Sequence, residues 1–195
     1  MDKLPTIELF IDENDLQDGV DAISLVEAPA IEENFVALNK HKVKFKSIDD
    51  EKRIVIGLAL IPDKEIYRRN GQDEFNIVFS KDTVRKASEL YLKRLKNNNT
   101  TLEHEETTKG VSVIESWIVE DVKTDKSALY NLNAVEGAWV VTMKIDNDKV
   151  WQDVKDGKYL GFSIEGFFSD KAIQQKEEKE ADELLEQIIK ILKNV

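Results

Sequence analysis

The stretch Gly161-Phe162-Ser163-Ile164-Glu165-Gly166 carries the most legible chemistry in this chain of 195 residues. Its alternating character predicts a strand with Ser163 at an inward-facing position. The flanking glycines leave the backbone clear of side chains, so another chain could approach closely and backbone N–H groups could face a substrate carbonyl. A nucleophilic serine needs a base to take its proton. The chain offers two histidines, His41 and His104. His104 closes the strand-like run that begins at Thr100, beside Glu103, Glu105 and Glu106, carboxylates that favour a protonated imidazole. His41 lies in the basic stretch from Lys40 to Lys46, without apolar or acidic neighbours, and reads as a surface residue. A glycine-flanked serine strand also fits a purely structural serine, so its meaning depends on the rest of the chain.

A third group would orient the imidazole. Thr100 to His104, a turn around Thr107 to Gly110 and Val111 to Val119 read as a hairpin, which brings Glu115 within reach of His104. A carboxylate aimed at the imidazole nitrogen that does not face serine fixes the tautomer and stabilises the imidazolium. Glu115 reads equally well as a cross-strand partner for a lysine. His104 among its glutamates gives no recurring metal-ligand spacing, so a metal hydrolase is a distant reading and no cofactor is expected. The absence of cysteine excludes thiol catalysis, disulfides and thiolate metal sites.

The net charge of −11 argues against nucleic-acid binding, which needs clustered lysines and arginines. No apolar run approaches the roughly 18–20 residues that cross a bilayer, and Met1 to Pro5 lacks the features of a signal peptide, so a soluble intracellular protein is expected.

Several elements must position these residues. Thr6 to Asp12 and Val20 to Val26 alternate as strands, the second ending before Pro29, and Phe35 to Leu38 reads as a third. Ile54 to Ile61 is apolar throughout, as in a strand buried on both faces. Asp63 to Glu74 reads as a solvent loop whose paired Arg68 and Arg69 could orient a carbonyl or carboxylate. Phe75 to Phe79 is a strand, and Ser80 caps a helix with Val84, Ala87, Leu90, Tyr91 and Leu95 on one face. Asp121 to Asn133 is polar and reads as a loop. Gly137 to Ile145 is a core strand, and Asp146 or Asn147 caps a short helix carrying Val150, Trp151 and Val154, stopped by Gly157. About eight strands and two helices result over residues 5 to 168, a mainly β (α+β) body suited to a closed antiparallel barrel. From residue 171 to 195 the composition turns to Lys, Glu and Gln, with Leu184, Leu185, Ile188, Leu192 and Val195 at helical spacing. This predicts an acidic amphipathic C-terminal helix for a partner or for self-association, following a domain of residues 1 to 170.

Read in order, Leu102-Glu103-His104, Val113-Ile114-Glu115-Ser116, Gly137-Ala138-Trp139, Val150-Trp151 and the Ser163 strand resemble tailed-phage prohead maturation proteases, in particular the XkdF-like phage serine proteases. The resemblance implies a closed β-barrel similar to herpesvirus assemblin with peripheral helices. It also implies a serine endopeptidase acting in the host cytoplasm, inside the assembling procapsid, with phage scaffold and major capsid proteins as substrates and a homodimer as a plausible state. Ser163 becomes the nucleophile and His104 the general base. The chain departs from the pattern at the third catalytic position. The N-terminal stretch Ala22-Ile23-Ser24-Leu25-Val26 resembles the family strand that carries it, implying a permuted barrel completed by the first strands. Alanine occupies that position, and Asp21 points to the opposite face. Glu115, Glu106 or no third residue remain open. A catalytically silent scaffolding protein of the procapsid is the alternative.

Overall fold

The computed structural model describes residues 4–29, 36–37 and 52–171. His41 and the predicted C-terminal helix therefore lie outside the described residues. Within them the fold is mainly β, with twelve strands, three α-helices and three four-stranded sheets.

The central sheet explains the long apolar runs. Strand β10 (Trp139–Ile145) pairs antiparallel with β4 (Ile54–Leu60) on one side and β9 (Val111–Ile118) on the other, and β3 (Val36–Ala37) extends β4 at Val55 and Ile56. Trp139, Val140, Val141, Met143 and Ile145 are fully buried, as a strand covered on both faces requires. Helix α1 (Lys81–Lys93) covers part of this core. Ser80 caps it by accepting the Thr83 N–H at 3.4 Å, Asp82 in the first turn and Lys93 in the last complement its dipole, and Val84, Ala87, Ser88 and Tyr91 form its buried face. The Tyr91 ring meets Trp139 edge-on, with centroids 5.5 Å apart. Asn147 caps α3 (Asp148–Lys155) through the Val150 N–H at 3.1 Å, Val150, Trp151 and Val154 are buried, and Gly157 at φ +76° ends it.

A second sheet runs β12 (Ser169–Asp170), β1 (Thr6–Phe10), β6 (Asp73–Phe79), β5 (Ile66–Asn70), with β1 and β6 parallel. The predicted loop from Asp63 to Glu74 thus contains a strand. Its exposed Tyr67, Arg68, Arg69 and Asn70 belong to a sheet edge, where charged side chains guard unpaired backbone. The polar stretch from Asp121 likewise contains a one-turn helix, α2 (Lys126–Leu129), capped by Asp125.

The third sheet carries the serine strand, in the order β11 (Gly161–Phe167), β2 (Gly19–Val26), β7 (Thr100–Leu102), β8 (Glu106–Thr107). Strand β2 pairs antiparallel with β11 and parallel with β7. The N-terminal strand therefore lies directly beside the serine strand. The predicted hairpin between Thr100–His104 and Val111–Val119 is replaced by two separate pairings: β7 turns back onto short β8, while β9 joins β10. No sheet closes on itself among the described residues, so the expected single barrel is seen as three open sheets packed around one core, with β11 lying against β4.

Candidate active site

Ser163 stands in register with Ser24 of β2, so the two side chains share one face. Ser24 is fully buried and Ser163 is 9% exposed. The Ser24 hydroxyl accepts the backbone N–H of His104 at 3.1 Å, which brings the turn carrying His104 over the residue opposite Ser163. That turn is demanding. Glu103 and His104 both have left-handed backbones, at φ +52° and +61°, and the Glu105 N–H closes onto Leu102 O at 3.0 Å. Two consecutive non-glycine residues in this region cost roughly 1–3 kcal/mol each unless their surroundings hold them. Here the Glu103 N–H donates to Leu25 O at 3.1 Å, and the Glu103 carboxylate accepts the Glu27 N–H at 2.7 Å. The turn is thus pinned at three points, two on β2 and one on the residue after it, and His104 has a fixed origin.

The imidazole finds its carboxylate on the serine strand itself. His104 Nδ1 lies 3.2 Å from Glu165 Oε1, and the Thr101 hydroxyl donates to the same oxygen. Glu165 is two residues beyond Ser163 on β11 and therefore on the same face. Directly opposite it on β2 is Ala22, with Ser24 next along that face. These small side chains let the carboxylate cross β2 to reach β7 and its turn. A carboxylate only accepts hydrogen bonds, so the tautomer suited to this 3.2 Å contact has its proton on Nδ1 and leaves Nε2 to accept one.

The remaining sequence candidates lie elsewhere. Glu115 is on β9, where its carboxylate accepts from Lys126 Nζ at 2.5 Å and from the Thr142 hydroxyl at 2.6 Å. Those bonds, the Lys126 ammonium first, hold its pKa below the ordinary carboxylate value. The expectation that Glu115 reaches His104 rested on the hairpin that does not form. The lysine-partner reading describes what is seen. Glu106 is exposed on β8 and is not the carboxylate paired with His104. Asp21 faces away and pairs with Lys96 at 3.0 Å. Among the described residues no group of three or more His, Asp or Glu is placed to hold a metal ion.

Glu165 escaped the sequence reading although its signal was present, since residues i and i+2 on a strand share a face. What was missing was the neighbour order, which puts small residues of β2 between Glu165 and His104. Gly166 was read as clearing space for a substrate. Its clearance serves the chain's own backbone: a Cβ there would lie 2.0 Å from Gly19 O, at the irregularity where β11 leaves register with β2.

Residues 42–173, more than half of the chain, match the family described as Putative phage serine protease XkdF. The chain belongs to this family of phage serine proteases. The match spans the serine strand, the histidine turn and strands β4, β9 and β10 of the central sheet, and it begins after β2, which supplies Ser24 and Ala22. Comparisons with curated proteins and with solved structures return no match.

Proposed function

We propose that this phage protease is a serine endopeptidase in which Ser163 is the nucleophile, His104 the general base and Glu165 the carboxylate that orients His104. The observation that carries this reading is the 3.2 Å contact between Glu165 and His104 Nδ1, made from the same face of the strand that bears Ser163. The Ser163 hydroxyl attacks a peptide carbonyl while Nε2 of His104 takes its proton. The tetrahedral adduct collapses, the imidazolium gives that proton to the departing amine, and an acyl-serine remains. Water then attacks the ester with His104 again as base, releasing the carboxylate product and regenerating Ser163. Glu165 keeps the proton on Nδ1 and stabilises the imidazolium, the role that Ala22 cannot fill.

The biological substrates in this reading are phage scaffold and major capsid proteins, cut inside the procapsid in the host cytoplasm, with a homodimer as the working unit. The test is co-expression of wild type, Ser163→Ala and His104→Ala with the neighbouring scaffold and capsid proteins, followed by intact-mass measurement of every chain. Cleavage that is lost in both variants supports the protease and identifies its bonds. Identical masses in all three would sink it and favour a silent scaffolding protein.

A further inference from the structure

A cavity of about 330 Å³ opens against the serine strand. Its wall includes Phe162, Ser163 and Ile164 in succession. Consecutive residues point to opposite faces of a strand, so the cavity runs along the edge of β11 rather than under one face. That edge has no ladder partner among the described residues: β11 is the last strand of its sheet, β2 pairs its other side, and β4 lies against it without pairing. The opposite wall comes from two further incomplete edges. Leu60 belongs to the end of β4 that β3 does not reach, and Arg68 belongs to β5, the edge strand of its own sheet. An open backbone edge beside a cavity is the arrangement that accepts an extended peptide, with main-chain hydrogen bonds for affinity and a side-chain pocket for specificity.

The lining states which side chains fit. It is mostly aliphatic and aromatic, and Phe167 at its rim is 62% exposed. Besides Ser163, the exception is Arg68. Its guanidinium donates to the neighbouring Tyr67 carbonyl at 2.9 Å, and no carboxylate pairs with it among the described residues. Surrounding protein desolvates it enough to push its pKa down, although the residue keeps contact with solvent. The neighbouring Arg69 instead binds the Gly71 carbonyl and closes its own turn. A partly desolvated arginine without a counter-charge, at the rim of an apolar cavity, is poised for a carboxylate brought by a ligand.

We propose that this cavity is the specificity subsite of the protease: an extended peptide pairs with the open edge of β11, a bulky apolar side chain enters the cavity, and an adjacent acidic side chain meets Arg68. This rests on reading Ser163 as the nucleophile, because the peptide that fills the cavity is the one presented to it. The volume is at the small end of ligand pockets, suited to one or two side chains and too small for a folded partner.

Binding can be separated from catalysis by using the full-length Ser163→Ala chain. Fluorescein-labelled eight-residue peptides in an Ala/Ser background, carrying Leu-Glu or Glu-Leu, are titrated by anisotropy beside versions with Gln in place of Glu and with Ser in place of Leu. One or both Leu/Glu orders should bind about tenfold tighter than their Gln versions, as a charge-assisted hydrogen bond implies. Replacing Leu by Ser should cost tenfold or more, from the lost burial. Adding Arg68→Gln should abolish the preference for Glu over Gln while leaving the Leu preference in place, and Arg68→Glu should reverse it. Equal binding of Glu and Gln peptides, indifference to Arg68, or no binding of any peptide would overturn the subsite. None of these results depends on cleavage, so the protease reading stands or falls separately in the co-expression test.

Discussion

Two carboxylates in this fold are built alike and do different things. Glu115 on β9 is held by the hydroxyl of Thr142, its cross-strand neighbour, and by Lys126. Glu165 on β11 is held by the hydroxyl of Thr101 and by His104. In both cases a threonine fixes an oxygen and a basic group completes the site. The basic group makes the difference. An ammonium stays charged across the working pH range, so Glu115 and Lys126 form a permanent ion pair whose role is structural. An imidazole has a second nitrogen to offer, so in the proposed mechanism the same carboxylate arrangement serves proton transfer. Position reinforces this: Glu165 shares a strand face with Ser163, while Glu115 sits in another sheet.

The largest effect should come from removing one charge at each carboxylate. Glu165→Gln keeps the shape but presents an amide, which favours the wrong histidine tautomer, and kcat should fall by about 10³–10⁴-fold. Glu115→Gln should leave kcat within about twofold. Measuring both on one substrate of the wild-type enzyme decides the matter. Equal losses, or a larger loss at Glu115, would mean that the orienting acid has been misassigned.

The backbone beneath the site provides the next test. Gly166 approaches Gly19 so closely that an added methyl group must push β11 away from β2. Gly166→Ala should therefore destabilise the fold by about 2–3 kcal/mol, measured by urea denaturation, and should lower activity even where the protein remains folded.

Threonine substitutions compare the two sites more gently. Thr101→Val removes one of the hydrogen bonds that hold the Glu165 carboxylate, and should reduce kcat by about tenfold with little change in KM, the value of one hydrogen bond to a charged group. Thr142→Val removes the equivalent bond from Glu115 and should leave kcat unchanged. A rise in KM alone for Thr101→Val would place that residue in substrate binding instead.

This contrast also shows what a sequence can disclose. The helix caps at Ser80 and Asn147, the buried run of β10 and the strand around Ser163 follow from local pattern and were legible. Strand β5 was not, because Arg68, Arg69 and Asn70 are loop residues by composition and edge-strand residues only once β6 is beside them. Glu115 seemed closer to His104 than Glu165 because it is 11 residues away along the chain rather than 61. The actual proximity depends on β2 inserting between β11 and β7 with Ala22 and Ser24 facing up, a long-range pairing that no local period encodes. The alanine that looked like a missing catalytic residue is part of the opening through which the Glu165 carboxylate reaches His104.

The smallest expected effect tests whether Glu115 is structural in the sense claimed. Its folded-state pKa lies below the ordinary carboxylate value of 4.5, chiefly because of Lys126 and then Thr142. A lowered pKa means that the ionised form is stabilised by folding, so the contribution is present above about pH 4.5 and is lost as pH falls through that value toward the folded pKa. The Glu115 side chain is 45% exposed, so solvent screening keeps the contribution small, about 0.5 kcal/mol. Glu115→Gln should therefore unfold at slightly lower urea concentration than wild type at pH 7, and the two curves should converge as pH falls below 4.5. Salt should narrow the gap at pH 7 in the same way, since the pair is screened. A gap of several kcal/mol, or one that persists in acid, would mean that Glu115 acts through packing rather than charge. The likeness between the two carboxylates would then be one of appearance, and Glu115 would no longer serve as the electrostatic counterpart of Glu165.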